Sequence, residues 1–214
     1  MWETEMKMAV ECDCGKVKAT IESKHLRGYR AVCLCDDCQA YAHYLQRADI
    51  LDANGGTDII PAMPSHYTIQ EGHEKIKCVR LSDKGMFRWY ASCCQSPIGN
   101  SMSSQAMPYL GVPARMFNKK NSTEQIENEF GPVRERIQAQ FAKGPVPPLA
   151  RKTVSLPFML RVIKFIALAK LSRAGSSSPF FKADGKPVSE PYVLTTQERD
   201  ALRPLCGVKR ADFK

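Results

Sequence analysis

The sequence predicts an α+β protein that is mainly β in its first half and helical in its second half. Three observations support this prediction: short runs of alternating polar and apolar residues, cysteines clustered among those runs, and a long apolar segment further along the chain. Alternation indicates strands because successive side chains of a strand point to opposite faces. We therefore expect a small antiparallel β domain followed by a helical extension.

The expected strands are separated by turn signals. Alternation covers residues 16–21, 66–70 and 75–81, with glycine-containing turns between and after the last two runs. Residues 39–47, between the first two runs, are expected to form one short helix. Short strands and tight turns are typical of a small antiparallel sheet.

The second half is expected to be helix and loop. A helical region is predicted over 122–143, with an interruption at residues 131–132, and a proline-rich linker follows at 145–148. The most apolar segment, 158–173, begins just after a proline, which suits a helix start. Residues 195–198 resemble a capping box that opens a short last helix.

Charge divides the chain at the same place. Residues 1–114 hold 12 Lys and Arg against 13 Asp and Glu, whereas residues 115–214 hold 19 against 9. The stretch 136–182 contains nine cations and no acidic residue. We therefore predict two parts, a cysteine-rich β domain at 1–114 and a basic extension at 115–214.

Composition limits the class of protein. Among the 214 residues, 43% are hydrophobic and 25% are charged, which is enough to bury a core. The acidic start does not resemble a secretory signal, and no run is apolar enough to cross a membrane. We therefore expect a cytoplasmic protein. In a reducing compartment, nine cysteines favour metal or redox chemistry over disulfides.

The cysteines fall into three groups that suit a metal. They are Cys12 and Cys14, then Cys33, Cys35 and Cys38, then Cys93 and Cys94. Zinc prefers thiolates in tetrahedral directions, and a C-x-C or C-x-x-C turn brings two sulfurs within reach of one ion. Three cysteines with an open fourth position are typical of catalytic zinc, whereas four close a structural site. A closed site with a fourth cysteine, or buried cysteines without metal, are the alternatives for the middle group.

These groups carry a family resemblance. The motifs Cys12-x-Cys14-Gly15, Cys33-x-Cys35-x-x-Cys38-Gln39 and residues 87–97, together with 67–72, resemble the glutathione-dependent formaldehyde-activating enzyme and centromere protein V family. The resemblance covers residues 8–112, so the extension would mark a divergent branch. It implies an Mss4-like zinc-binding β fold and a carbon–sulfur lyase of thiol–aldehyde adducts, typically S-hydroxymethylglutathione.

The resemblance also implies two zinc sites. A structural ion would be bound by Cys12, Cys14 and Cys94, and a catalytic ion by the middle group. The family has a further cysteine where this chain has Ala91. Three alternatives stay open: Cys93 supplies the missing ligand, the site has three cysteines, or it holds no metal. We therefore expect one or two zinc ions per chain.

Lyase chemistry also needs a proton carrier. Asp36 and Asp37 lie inside the ligand loop and are the nearest candidates, although turn residues that cap the loop are the more ordinary interpretation. His43 and His66 are further candidates. The substrate would be a small thiol or its aldehyde adduct, and cations of the extension would contact its carboxylates.

The basic extension leaves two functional classes open. Its apolar segment is expected to form a mostly buried helix that packs on the β domain or on a second subunit, while binding to an anionic membrane surface is the alternative. Nucleic acid is not an expected partner because no reading motif accompanies the cations. The chain is thus either a zinc lyase or a non-catalytic zinc module whose extension binds an anionic partner.

Overall fold

The protein is built from short strands joined by tight turns, with most helices in the second half. The structure is a computed structural model that describes residues 7–23, 26–117, 120–173 and 177–210. The strands are β1 (Lys7–Glu11), β2 (Lys18–Glu22), β3 (Ala31–Cys33), β4 (Thr57–Ala62), β5 (Tyr67–Glu71), β6 (Ile76–Arg80), β7 (Phe87–Ala91), β8 (Ser96–Ser101), β9 (Leu110–Pro113), β10 (Glu135–Ile137) and β11 (Tyr192–Val193). The helices are α1 (Asp36–Tyr44), α2 (Thr123–Phe130), α3 (Leu156–Leu171) and α4 (Thr196–Leu202).

Within the described ranges, the strands form two sheets. The small sheet has the order β1-β2-β5 and is antiparallel, and the large sheet has the order β10-β3-β4-β9-β8-β7-β6-β11. The inner strands of the large sheet are antiparallel, whereas β10 pairs with β3 and β11 pairs with β6 in parallel. The predicted mainly β, α+β fold is confirmed. Both edge strands of the large sheet, β10 and β11, come from the second half of the chain.

One hydrophobic core joins the two sheets. Ile21 of the small sheet and Trp89 of the large sheet are fully buried in the same cluster of side chains. Phe165 and Phe180 from the second half belong to that cluster, and Phe180 stacks on Trp89 with ring centroids 5.0 Å apart. Residues on both sides of position 114 therefore share one core, while the division into two domains stays a prediction.

The local patterns of the first half correspond to its elements. The three alternating runs become β2, β5 and β6, each within two residues of the expected ends. The helix expected at 39–47 begins earlier, at Asp36, because Cys35 caps it: the Cys35 sulfur accepts a hydrogen bond from the Cys38 amide at 3.2 Å. In the second half, Thr195 and Glu198 form the predicted capping box of α4.

The helical region predicted over 122–143 is wrong beyond Phe130. Ser122 and Gln125 form a capping box that opens α2, and Gly131, with a φ of 78°, follows its last residue. Residues 135–137 then form β10 instead of a second helical segment. Pairing with β3 supplies their hydrogen bonds, so a distant strand overrides the local preference.

The apolar segment forms α3. The prediction that this helix is mostly buried is wrong in the single chain, where most of its residues are exposed. Phe158, Phe165 and Ala169 are its buried residues. Its opposite face carries exposed Leu160 and Leu171, which are 57% and 83% exposed. The helix lies on the β structure by one face only, so most of its apolar surface meets solvent. No helix in the described part of the chain is long and apolar enough to cross a membrane.

Candidate metal centres

The first and third cysteine groups meet in space. Cys12 and Cys14 lie in the turn after β1, and Cys93 and Cys94 lie in the turn between β7 and β8. The sulfur of Cys12 is 3.7 Å from that of Cys14 and 3.9 Å from that of Cys93, and the Cys14–Cys93 distance is 3.2 Å. Sulfurs that share a tetrahedral ion at about 2.3 Å lie about 3.8 Å apart. These residues, the four-cysteine cluster, therefore have the spacing of a metal site.

A partly buried arginine ties the two turns together. Arg47 donates to the carbonyl of Cys94 at 3.2 Å and pairs with the carboxylate of Asp13. The amide of Asp13 donates to the hydroxyl of Ser96 at 3.0 Å, which links the same two turns again. Arg47 is 34 positions from Asp13 in the sequence, and Asp13 is 83 positions from Ser96. These long-range contacts hold the two cysteine turns together from outside the cluster.

The thiols of the cluster differ in their affinity for protons. Burial raises the pKa of Cys94, but hydrogen bonds from Ser96 and the Cys14 backbone outweigh it and lower that pKa to about 6. Burial raises the pKa of Cys12, and burial together with Cys14 raises that of Cys93. Cys94 is therefore the thiol of the cluster whose pKa is lowered, which favours the thiolate, the form of cysteine that binds metal.

Ala91 and Cys93 occupy different surroundings. Ala91 is the last residue of β7 and is fully buried in the core, whereas Cys93 lies in the following turn beside Cys12 and Cys14. Cys93 and Cys94 have sulfurs 3.9 Å apart although they are adjacent in sequence. The turn thus brings both sulfurs to the cluster, and four thiols are present without a cysteine at position 91.

The middle cysteine group forms a second cluster, here called the cysteine triplet. Cys33 ends β3, Cys35 caps α1 and Cys38 lies in the first turn of that helix, and their sulfurs all lie within 4.8 Å of one another. Hydrogen bonds from Cys33 and Cys35 lower the pKa of Cys38 well below its usual value, against the effect of burial, and Arg88 adds its charge. Cys35 correspondingly keeps its proton, because hydrogen bonds to both neighbours and burial raise its pKa.

Arg88 is a site residue that the sequence did not reveal. It lies on β7 with only 5% of its surface exposed, its Nη1 is 3.9 Å from the Cys38 sulfur, and its guanidinium lies over the Tyr41 ring at 5.3 Å. A buried charge needs a partner, and the Cys38 sulfur, whose pKa this guanidinium helps to lower, is within its reach. A cation within the apolar run Phe87–Ala91 was the available signal, because such a cation is rarely buried without a specific partner.

A cavity of about 490 Å³ lies against the triplet. All three of its cysteines line the cavity, together with Arg88, Asp37 and Asn100. Asn100 is 8% exposed, and its side-chain Oδ1 has no hydrogen-bond partner among the described residues. Helix α3 of the extension forms part of the wall through side chains on its inner face. The extension therefore covers the triplet, and the cavity offers a small molecule access to three thiols and an unpaired acceptor.

The structure separates the candidate proton carriers. Asp37 lines the cavity, whereas Asp36, His43 and His66 are not among its lining residues. Arg203 near the end of the chain pairs with both aspartates, and its Nη2 is 3.3 Å from Asp37 Oδ1. Asp36 also accepts a hydrogen bond from the Asp37 amide at 3.0 Å. Asp37 is thus the proton-carrier candidate that the fold brings to the triplet.

The remaining cysteines lie away from both clusters. Cys78 is buried in the main core, and Cys206 is buried against α1 and β6 side chains. Both residues therefore pack in hydrophobic clusters of the protein.

Comparisons with known proteins place the chain in a family. A search of curated proteins finds no match. Among solved structures, a crystal structure of a Rhodobacter sphaeroides protein from a structural genomics programme is similar at 16% identity and a TM-score of 0.41, over 55% of this chain and 94% of that chain. A family model matches residues 5–191, which is most of the chain, and its description is "Family of unknown function (DUF6151)". The chain belongs to that family.

Proposed function

We propose that this protein is a zinc-dependent carbon–sulfur lyase that acts on the adduct of a small thiol with an aldehyde. The observation that carries the proposal is the unequal pair of cysteine clusters. Four thiols form one cluster between two turns, while three thiols form the other at the wall of a cavity. The motif resemblance to the glutathione-dependent formaldehyde-activating family supports the same activity.

The donor sets fit zinc in two different roles. Four thiolates at tetrahedral spacing are typical of a structural ion, and three with access to a ligand are typical of a catalytic ion. Among the described residues, no fourth cysteine, histidine or carboxylate joins the triplet at metal-binding distance. A substrate could therefore reach the triplet through the cavity. A zinc ion bound there would supply Lewis acidity toward an adduct oxygen or sulfur.

Residues of the cavity wall suit the bond that must break. The adduct carries a hydroxyl on the carbon bound to sulfur, and its single proton can point to the unpaired Asn100 Oδ1 when the adduct binds and to Asp37 when it reacts. Loss of the hydroxyl proton, with Asp37 as acceptor, forms the carbonyl while the carbon–sulfur bond breaks. The bonding electron pair leaves with sulfur, and the proton then returns to that thiolate. No oxidant or reductant is consumed, and the reverse sequence forms the adduct.

Turnover by the purified, metal-loaded protein tests the proposal. We expect release of aldehyde and thiol from adducts across several thiols and aldehydes, and loss of that release in Asp37→Asn and in Cys38→Ser. Asp36→Asn serves as the matched control, because Asp36 does not line the cavity. Absence of turnover in a full-length protein that holds zinc at both clusters would refute the lyase.

The second candidate function is a non-catalytic zinc module that binds an anionic membrane surface through α3. The outer face of α3 carries exposed Leu160, Ile163 and Leu171, with Lys164 and Lys170 beside them and no acidic residue on the helix. Apolar residues flanked by lysines suit a helix that lies in the interface of an anionic bilayer. Two copies packed through this face would oppose lysines, which disfavours self-association.

Vesicle binding decides this second candidate. The protein should sediment with vesicles of phosphatidylcholine and phosphatidylserine, but not with phosphatidylcholine alone. Leu160→Asp should abolish that sedimentation, while Leu205→Asp, a substitution at an exposed leucine outside α3, should not. Equal sedimentation of all three proteins would exclude α3 as a membrane-binding helix.

A further inference from the structure

The lining of the cavity beside the triplet is mostly apolar. Strands β3 and β4 contribute Ala31, Ile59 and Pro61 to its wall. The inner face of α3 contributes Phe158, Val162 and Phe165. The wall also includes Tyr29, Met86, Met102, Tyr109, Ile137 and Val154. At about 490 Å³, the cavity is in the size range of small-molecule sites.

Charge in the cavity is restricted to one end. Arg88 and Asp37 are the charged residues among its described lining, and Arg88 lies at the Cys38 sulfur. Glutathione carries two carboxylates and an ammonium group, each of which would need a partner in a buried site. Arginines of the extension were expected to bind those carboxylates. Instead, the extension contributes Ile137, Val154 and side chains of α3 to the wall, all of them apolar.

We propose that this cavity selects adducts that carry a medium-chain alkyl or aryl group and excludes adducts of glutathione. The inference rests on the proposed function, which specifies the carbon–sulfur bond that reacts. The apolar wall specifies the hydrocarbon group that the substrate carries beside that bond. The adduct hydroxyl lies at the polar end, within reach of Asn100, and the hydrocarbon group extends between α3 and the sheet. Each methylene buried there strengthens binding by about fourfold.

Binding of simple thiols measures this selectivity without turnover. Isothermal titration calorimetry of the purified, metal-loaded full chain would compare ethanethiol, butanethiol and hexanethiol with glutathione. We expect affinity to rise with chain length, by up to about fourfold per methylene, and hexanethiol to bind more tightly than glutathione. Affinity that is independent of chain length, or tighter binding of glutathione, would overturn the inference.

Neighbouring residues of α3 provide a matched pair of variants. Val162 lines the cavity, whereas Ile163 is 55% exposed on the other side of the helix. Val162→Lys should lower hexanethiol affinity at least about tenfold, since it places a charge among apolar groups. Ile163→Lys should leave that affinity unchanged. Equal affinities in the two variants would show that thiols bind elsewhere.

A second pair keeps the test decisive if Val162→Lys does not fold. Met102 is 38% exposed and lines the cavity, while Met107 is similarly exposed but does not line it. Met102→Lys should weaken hexanethiol binding and Met107→Lys should not, with circular dichroism as the folding control. Chain-length-dependent binding without turnover would refute the lyase but retain the apolar site. Turnover of a glutathione adduct without chain-length dependence would retain the lyase and refute the apolar site.

Discussion

Replacing Cys14 by serine separates a metal-bound four-cysteine cluster from four free thiols. Cys14 is exposed, so its replacement should change the free energy of unfolding by less than about 0.5 kcal/mol if no metal is bound. Cys206 is the matched control, because it is only 7% exposed and its sulfur contacts the Leu202 carbonyl at 3.4 Å. Without metal, the buried site should therefore be the more sensitive of the two.

A bound metal reverses that order. Structural zinc in small domains contributes about 10–16 kcal/mol of apparent free energy, so each of four thiolates accounts for about 2.5–4 kcal/mol. In a protein of this size, about 1 kcal/mol shifts the melting temperature by about 2–4 °C, and Cys14→Ser should lower it by about 5–16 °C. Cys206→Ser should cost about 1 kcal/mol, because the serine hydroxyl can retain the hydrogen bond to the carbonyl.

Calorimetry of both variants, with metal content measured by mass spectrometry, gives the answer. A chelator added to the wild-type protein removes the whole ion, so it should lower the stability at least as much as Cys14→Ser does. A Cys14→Ser variant that melts with the wild type, while Cys206→Ser melts lower, would refute metal binding at the four-cysteine cluster.

Three further predictions concern the triplet, α3 and a turn. Serine at all three triplet positions should lower the metal content by one equivalent per chain with the circular dichroism spectrum retained, and unchanged content would contradict metal binding there. Phe165→Ala should lower the free energy of unfolding in urea by about 3–5 kcal/mol, since Phe165 is 3% exposed and packs on Tyr29 with ring centroids 5.4 Å apart. A loss below about 1 kcal/mol would show that α3 does not pack on the sheet. Gly72→Ala should cost more than about 1 kcal/mol by the same assay, because Gly72 has a φ of 79° and a Cβ there would lie 2.2 Å from the Lys16 carbonyl oxygen. Gly185 has a φ of 81° but no atom within 4 Å of such a Cβ, so Gly185→Ala measures the cost of the backbone conformation without a clash. Equal losses of stability in the two variants would refute the clash at Gly72.

The sequence by itself determined the features that depend on neighbouring residues. Alternation located β2, β5 and β6, and the capping box located α4, because strand faces and helix caps involve residues a few positions apart. Spacing also grouped the cysteine triplet, since a helix cap and its first turn bring Cys35 and Cys38 together locally. For the same reason, the C-x-C turn was recognisable as half of a metal site.

Tertiary structure decided the contacts between residues far apart in the chain. Cys93 joins the four-cysteine cluster because the turns after β1 and β7 meet, and Arg88 reaches the triplet from a strand fifty residues away. Residues 135–137 are a strand because β3 lies beside them, and only packing chose which face of α3 would line the cavity. These outcomes depend on which surfaces the whole chain buries together, and local sequence patterns do not contain that information.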